Sequence, residues 1–168
     1  MCAQHHTRSF SAEVLYGTKD LARIQGYSPG MSEESTVTDL VQLVRGRIEA
    51  SNRRDFDAVE SFYAPDCRLR GAEIGEFEGQ AAARGVVEDM IAPYEDFHVD
   101  IEEVLDLGRG VTFAALVARG RVGGGSAEVQ FRFASVATWK NLVERQCNFI
   151  DIDEARAAAE RLVEERSP

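Results

Sequence analysis

From Val37 onward the apolar residues Val37, Leu40, Val41, Val44 and Ile48 recur every three or four positions. That spacing lines one side of a helix and predicts an amphipathic helix running to about Ser51. The turn Asn52-Arg53-Arg54 leads to Asp55, whose carboxylate suits an N-cap, and Phe56, Val59, Phe62 and Tyr63 predict a second helix that Pro65 stops. A short strand is expected over Cys67–Gly71. Val86, Val87, Met90 and Ile91 then place a third helix over Gln80–Ala92, closed by Pro93.

Beyond Pro93 the period changes. Phe97–Leu107, Val111–Val122, Ala127–Trp139 and Leu142–Ile150 are rich in Val, Phe, Ile and Leu, and turn chemistry separates them at Gly108-Arg109-Gly110, Gly123–Gly125 and Lys140-Asn141. Four strands joined by tight hairpins predict a curved antiparallel sheet. Asp153–Arg166 alternates Ala, Leu and Val with charge in helical register and predicts a closing helix. Helices gathered on one face of an antiparallel sheet make an α+β domain.

Charge divides the chain. Residues 1–30 hold three basic and two acidic side chains, which leaves 16 basic against 27 acidic over residues 31–168. With Ser28-Pro29-Gly30 at the junction, residues 1–30 read as a flexible N-terminal extension, with one short helix over Ala12–Ile24, and residues 31–168 as the folded domain. A total of 168 residues, 44% of them hydrophobic, supplies one core. The formal net charge of −10 would repel phosphate backbones and anionic headgroups, which argues against nucleic acid and membrane surfaces as partners. No apolar run approaches the roughly 20 residues of a spanning helix, and no secretory signal is evident, so a cytoplasmic location is expected. Cys2, Cys67 and Cys147 are odd in number and lack CxxC spacing, which suits reduced, inert thiols. His5, His6 and His98 give a metal centre little to build on. No metal and no cofactor are expected, and no GxSxG elbow, Walker loop or dinucleotide fingerprint is present.

The stretches IEASNRRDFDAVESFYAPDCRL (48–69), FEGQAAARGVVEDM (77–90) and ASVATWKNLVERQCNFID (134–151), in this element order, resemble the SnoaL-like branch of the nuclear-transport-factor-two-like superfamily. The resemblance spans about residues 37–160. It implies a cone-shaped, barrel-like fold in which the curved sheet wraps three helices around an apolar cavity open at one end, commonly in a homodimer. Fold does not carry activity here, because the superfamily hosts isomerases, cyclases, epoxide hydrolases, dehydratases and binding domains alike. In ketosteroid isomerases the fold carries a catalytic carboxylate, a tyrosine donor and a protonated aspartic acid. The matching positions here are Gly71, Arg47 and Ser135, so that isomerisation has neither its base nor its paired donors.

Strand alternation, combined with the cone, points Cys67, Leu69 and Gly71, then Val129, Phe131, Phe133 and Ser135, then Gln146, Asn148 and Ile150 inward. The ligand-binding candidates are accordingly Tyr63, Leu69, Phe131, Phe133, Ser135, Gln146 and Asn148: an apolar lining with a few polar tips. Tyr63 either directs its hydroxyl at a ligand carbonyl or is a core tyrosine with a wet tip. Gln146 and Asn148 need partners, whether ligand, water or each other.

Glu73, in the loop LRGAEIGEFEG (69–79), is the one carboxylate placed to act as a general base at the cavity mouth, although glycine-flanked glutamates ordinarily face water. Asp100, Glu102, Asp106, Glu128 and Glu144 mostly fall in the outward register, which a one-residue bulge would reverse. Asp151 reads as a cap. The expected function is binding of a small hydrophobic or amphipathic metabolite without a catalytic centre. A polyketide-cyclase-, isomerase- or dehydratase-like enzyme using a carboxylate base is the alternative.

Overall fold

The computed structural model describes residues 39–168. The helix over Ala12–Ile24, the junction near Pro29, the two N-terminal histidines and Cys2 lie outside the described residues. The chain runs α1 (Leu40–Asn52), α2 (Phe56–Ser61), β1 (Tyr63–Gly71), β2 (Gly75–Glu78), α3 (Gln80–Ile91), β3 (His98–Asp106), β4 (Val111–Arg121), β5 (Glu128–Trp139), β6 (Val143–Phe149) and α4 (Ile152–Glu165). One curved, open sheet has the order β2-β1-β6-β5-β4-β3. Every neighbouring pair is antiparallel except β1 and β6, which run parallel. Among the described residues no helix is long and apolar enough to cross a membrane.

Two apolar clusters sit on opposite faces of the sheet. The larger joins Leu40, Val44 and Ile48 of α1, Val59 of α2 and Ala83, Val87 and Ile91 of α3 to Leu69, Leu116, Ala137 and Trp139 of the strands. This is the inner face. The smaller packs Ala155 and Ala159 of α4 against Val111, Phe113, Ala115, Ala134 and Val136, so the fourth helix covers the outer face rather than joining the other three. An α+β fold with three helices against the concave side of a curved sheet is what the residue pattern and the resemblance predicted; the parallel pair and the placement of α4 are additions.

The Asn52–Asp55 turn is held at three points. Asn52 uses both ends of its amide on Val99, accepting from the backbone N–H at 2.8 Å and donating to the carbonyl at 3.0 Å. Arg54 takes φ 56° and donates to the Tyr94 carbonyl. The Asp55 carboxylate accepts from the Ala58 N–H and starts α2.

At the β3–β4 hairpin Gly110 has φ +72°, and a Cβ there would lie 2.3 Å from the Trp139 carbonyl oxygen. Only glycine lets the backbones close, and the Trp139 N–H donates to the Gly110 carbonyl at 2.7 Å.

Two expectations are corrected. Tyr63 does not end the second helix: α2 stops at Ser61, and Tyr63 opens β1 opposite Val143. The cause is Pro65, which disfavours helical backbone in the residue before it and sits where the β1 register with β6 slips between Tyr63 and Arg68, an irregularity that tolerates proline. Half of the loop after Gly71 is a second strand, Gly75–Glu78, with Leu69 opposite Phe77 and Gly71 opposite Gly75.

Candidate functional site

Five of the polar side chains that matter come together on the inner face from four elements. Helix α1 buries Leu40, Val44, Arg47, Ile48 and Ser51 along one side, so Arg47 lies on the apolar stripe and is only 5% exposed. Tyr63 is fully buried at the start of β1. Strand β6 supplies Gln146, buried, and Asn148, half-buried. Ser135 on β5 is buried, with Asn148 as its cross-strand neighbour. Arg47 Nη1 donates to Gln146 Oε1 at 2.6 Å and to Tyr63 Oη at 2.8 Å. The Tyr63 hydroxyl donates to the same Gln146 oxygen at 2.9 Å, and Gln146 Nε2 donates to Asn148 Oδ1 at 2.9 Å. The guanidinium carbon also lies 5.7 Å from the Tyr63 ring centroid, within cation–π range.

The structure therefore brings Tyr63, Gln146 and Asn148 into one hydrogen-bonded chain. Leu69, which pairs with Gln146, and Ser135 lie beside it. Phe133 packs against the inner cluster further along β5, and Phe131, 5.9 Å from it between ring centroids, is 37% exposed at the rim. Glu73 is exposed in the β1–β2 turn and outside the chain. It shares with Asn148 the lining of a pocket of about 390 Å³ at the ends of β1 and β6, together with Arg70, Asp151 and Glu154.

A larger concavity, about 620 Å³, is not at the inner face expected for the cavity. It lies between α4 and the outer face, over Val136, Thr138 and Phe149. Arg68, Arg70, Arg145 and Arg161 border it with Glu76, Glu78 and Glu165, and Glu78 and Glu76 stand directly across the strand pair from Arg68 and Arg70. Two of the three loop glutamates thus belong to a ladder of opposite charges, the ordinary character of a solvated edge strand.

The other strand acids stay off the inner face. A bulge does occur in β3, where Ile101 pairs with Leu116 and Glu103 already pairs with Ala115. It leaves Glu102 and Glu103 side by side, ion-paired with Arg132 of β5 and Arg156 of α4. Asp151 caps α4, accepting from the Glu154 N–H. Among the described residues no group of three or more His, Cys, Asp or Glu side chains is placed to hold a metal.

Arg47 is the residue that sequence reasoning passed over, treating it only as a missing tyrosine. The signal was present: three residues after Val44 and four before Ser51, it falls on the buried side of α1.

The SnoaL-like domain family model matches residues 44–142. The chain belongs to the SnoaL-like domain family. Comparison with curated protein sequences gave no match. Among solved structures, a candidate SnoaL-like polyketide cyclase from Jannaschia sp. CCS1 superposes with a TM-score of 0.61 at 16% identity, covering 77% of this chain and 97% of that one. A hypothetical protein with a ketosteroid-isomerase-like fold from Catenulispora acidiphila DSM 44928, in complex with trimethylamine, gives 0.60 at 16% identity, covering 71% and 92%. An LEH-like epoxide hydrolase from M. tuberculosis gives 0.57 at 16% identity, covering 72% and 89%. At these identities the likeness establishes the fold of the SnoaL-like domain and leaves its chemistry to its own residues.

Proposed function

We propose that this SnoaL-like domain binds a small hydrophobic or amphipathic metabolite at the inner face of its sheet, with the chain Arg47–Tyr63–Gln146–Asn148 reading the polar end. The observation that carries this reading is the chain itself. A buried guanidinium, phenol and two amides in an otherwise apolar face are costly to leave incompletely paired, and such convergent polar groups are what fixes a ligand's orientation. Among the described residues no carboxylate joins the chain, which favours binding over proton abstraction. A homodimer and a cytoplasmic setting belong to the same proposal.

Native mass spectrometry of the purified protein tests it by identifying a co-purifying small molecule. Asn148→Leu should then weaken that molecule's binding at least about tenfold while preserving the far-UV spectrum, because the half-buried amide at the open end of the chain is lost. Unchanged affinity in the folded variant would remove the assignment.

One observation favours a second reading, a cyclase-, isomerase- or dehydratase-like enzyme: Glu73 and Asn148 line the same pocket. There Glu73 would act as base and Asn148 would polarise an oxygen. Glu73→Gln separates the two readings, since it should abolish turnover in an enzyme and leave a binder's affinity within about twofold.

A further inference from the structure

The hydrogen-bond polarity of the Arg47 chain can be followed from one end to the other. An arginine only donates, so the Gln146 atom facing Arg47 Nη1 is the oxygen, and that oxygen also accepts from Tyr63. The Gln146 amide nitrogen must then face Asn148, whose oxygen accepts it, leaving the Asn148 amide nitrogen pointing onward as a donor. Every amide oxygen in the chain is occupied. Among the described residues neither buried Arg47 Nε nor Ser135 Oγ, beside Asn148, has a hydrogen-bond partner. The chain ends in hydrogen-bond donors.

Its charge points the same way. Arg47 carries a permanent positive charge and is nine-tenths buried, yet it takes part in none of the ion pairs among the described residues. A buried cation without an anion is costly, and the Tyr63 ring offsets only part of that cost. The edge of the guanidinium that carries Nη1 is used by Tyr63 and Gln146; Nε, on the other edge, is the nitrogen that takes part in bidentate carboxylate binding.

We infer that the metabolite of this site carries a carboxylate, received by Arg47 with Ser135 and the Asn148 amide nitrogen, and an apolar body lying along Leu69 and Phe133. This rests on the inner-face binding reading above and names the ligand's chemical class. The carboxylate supplies a counter-charge and accepts from Arg47 Nε and Ser135 Oγ, which have no partner among the described residues.

The test uses the full chain and matched probe pairs, at equal concentration and ionic strength: benzoate, hexanoate and 4-phenylbutyrate against their primary amides. Thermal shift and isothermal titration provide the readouts. At least one carboxylate should raise the melting temperature with saturating dose dependence and bind about tenfold or more tightly than its amide. Arg47→Met should abolish that shift. It should also leave the protein without added anion as stable as wild type or more so, because Gln146 Oε1 keeps the Tyr63 hydroxyl and a buried charge is removed.

Ser135→Ala provides a second handle if Arg47→Met fails to fold. It removes only an unpartnered hydroxyl, and should keep the fold while weakening the carboxylate severalfold.

Equal binding of acid and amide would overturn the carboxylate and leave the metabolite reading standing. A carboxylate shift that survives in Arg47→Met would place the anion elsewhere, for example on the outer-face arginines, and overturn it as well. Absence of binding by all three acids also overturns it, while the co-purification experiment judges the broader reading separately. Strong destabilisation of Arg47→Met without added anion would mark the arginine as a structural brace and count against the inference.

Discussion

Asn52→Ala is the most informative test of how this fold is closed. Among the described residues strand β3 is an edge of the sheet and pairs only with β4, so the backbone on its other side needs partners. At Val99, which is 4% exposed, the Asn52 amide supplies both, at 2.8 Å to the N–H and 3.0 Å to the carbonyl. The side chain acts as a one-residue strand partner and ties the end of α1 to the sheet. Leaving a buried donor or acceptor unmatched costs about 1–3 kcal/mol each, and the truncated site is only half-buried, so water recovers part of the loss. Asn52→Ala should therefore destabilise by about 2–4 kcal/mol. Asn52→Asp should not rescue it, because a carboxylate keeps the bond to the N–H but faces the Val99 carbonyl with negative charge. Arg53→Ala is the internal control, since its ion pair with Glu49 is more than half exposed on both sides and should change stability by no more than about 0.5 kcal/mol. Urea unfolding followed by circular dichroism and by the fluorescence of Trp139, the single tryptophan and 2% exposed, measures all three. A loss for Asn52→Ala below about 1 kcal/mol, or one matched by Arg53→Ala, would refute the edge-closing argument.

Two further outcomes are expected. The buried Trp139 indole donates to the Thr112 hydroxyl at 2.8 Å, so Thr112→Val should cost about 1–3 kcal/mol in the same urea assay, and a neutral result would mean that the indole finds another acceptor. Burial raises the Cys67 and Cys147 thiols above their ordinary 9.0, so both remain protonated in the fold where an unfolded thiol ionises. Their contribution to stability is complete below that value and is lost as pH rises through and above it. Peptide-resolved iodoacetamide labelling at pH 8 should find Cys67 far slower in native protein than in urea, and equal rates would contradict its burial.

Much of this architecture was legible because periodicity is local. Alternation along β5 and β6 placed Phe133, Ser135, Gln146 and Asn148 on the face they occupy, and Asp151 and Asp55 cap the helices they precede. Strand pleat and helix pitch determine those facts within a few residues. Tyr63 was misread because Phe62 and Tyr63 continue a helical stripe, while the backbone preference before Pro65 and the pairing with Val143 acted against it.

What the amino-acid order alone determined is the succession of elements, their faces and their caps. What only the tertiary structure decided is who meets whom: β1 beside β6 in parallel, α4 on the outer face, and Arg47 against Gln146 across 99 positions of sequence. No period encodes such a meeting, because a buried arginine's partners are chosen by the closure of the whole sheet around it. Arg47 interrupts an apolar stripe in the sequence, and only the folded chain makes it the head of a row of hydrogen-bond donors.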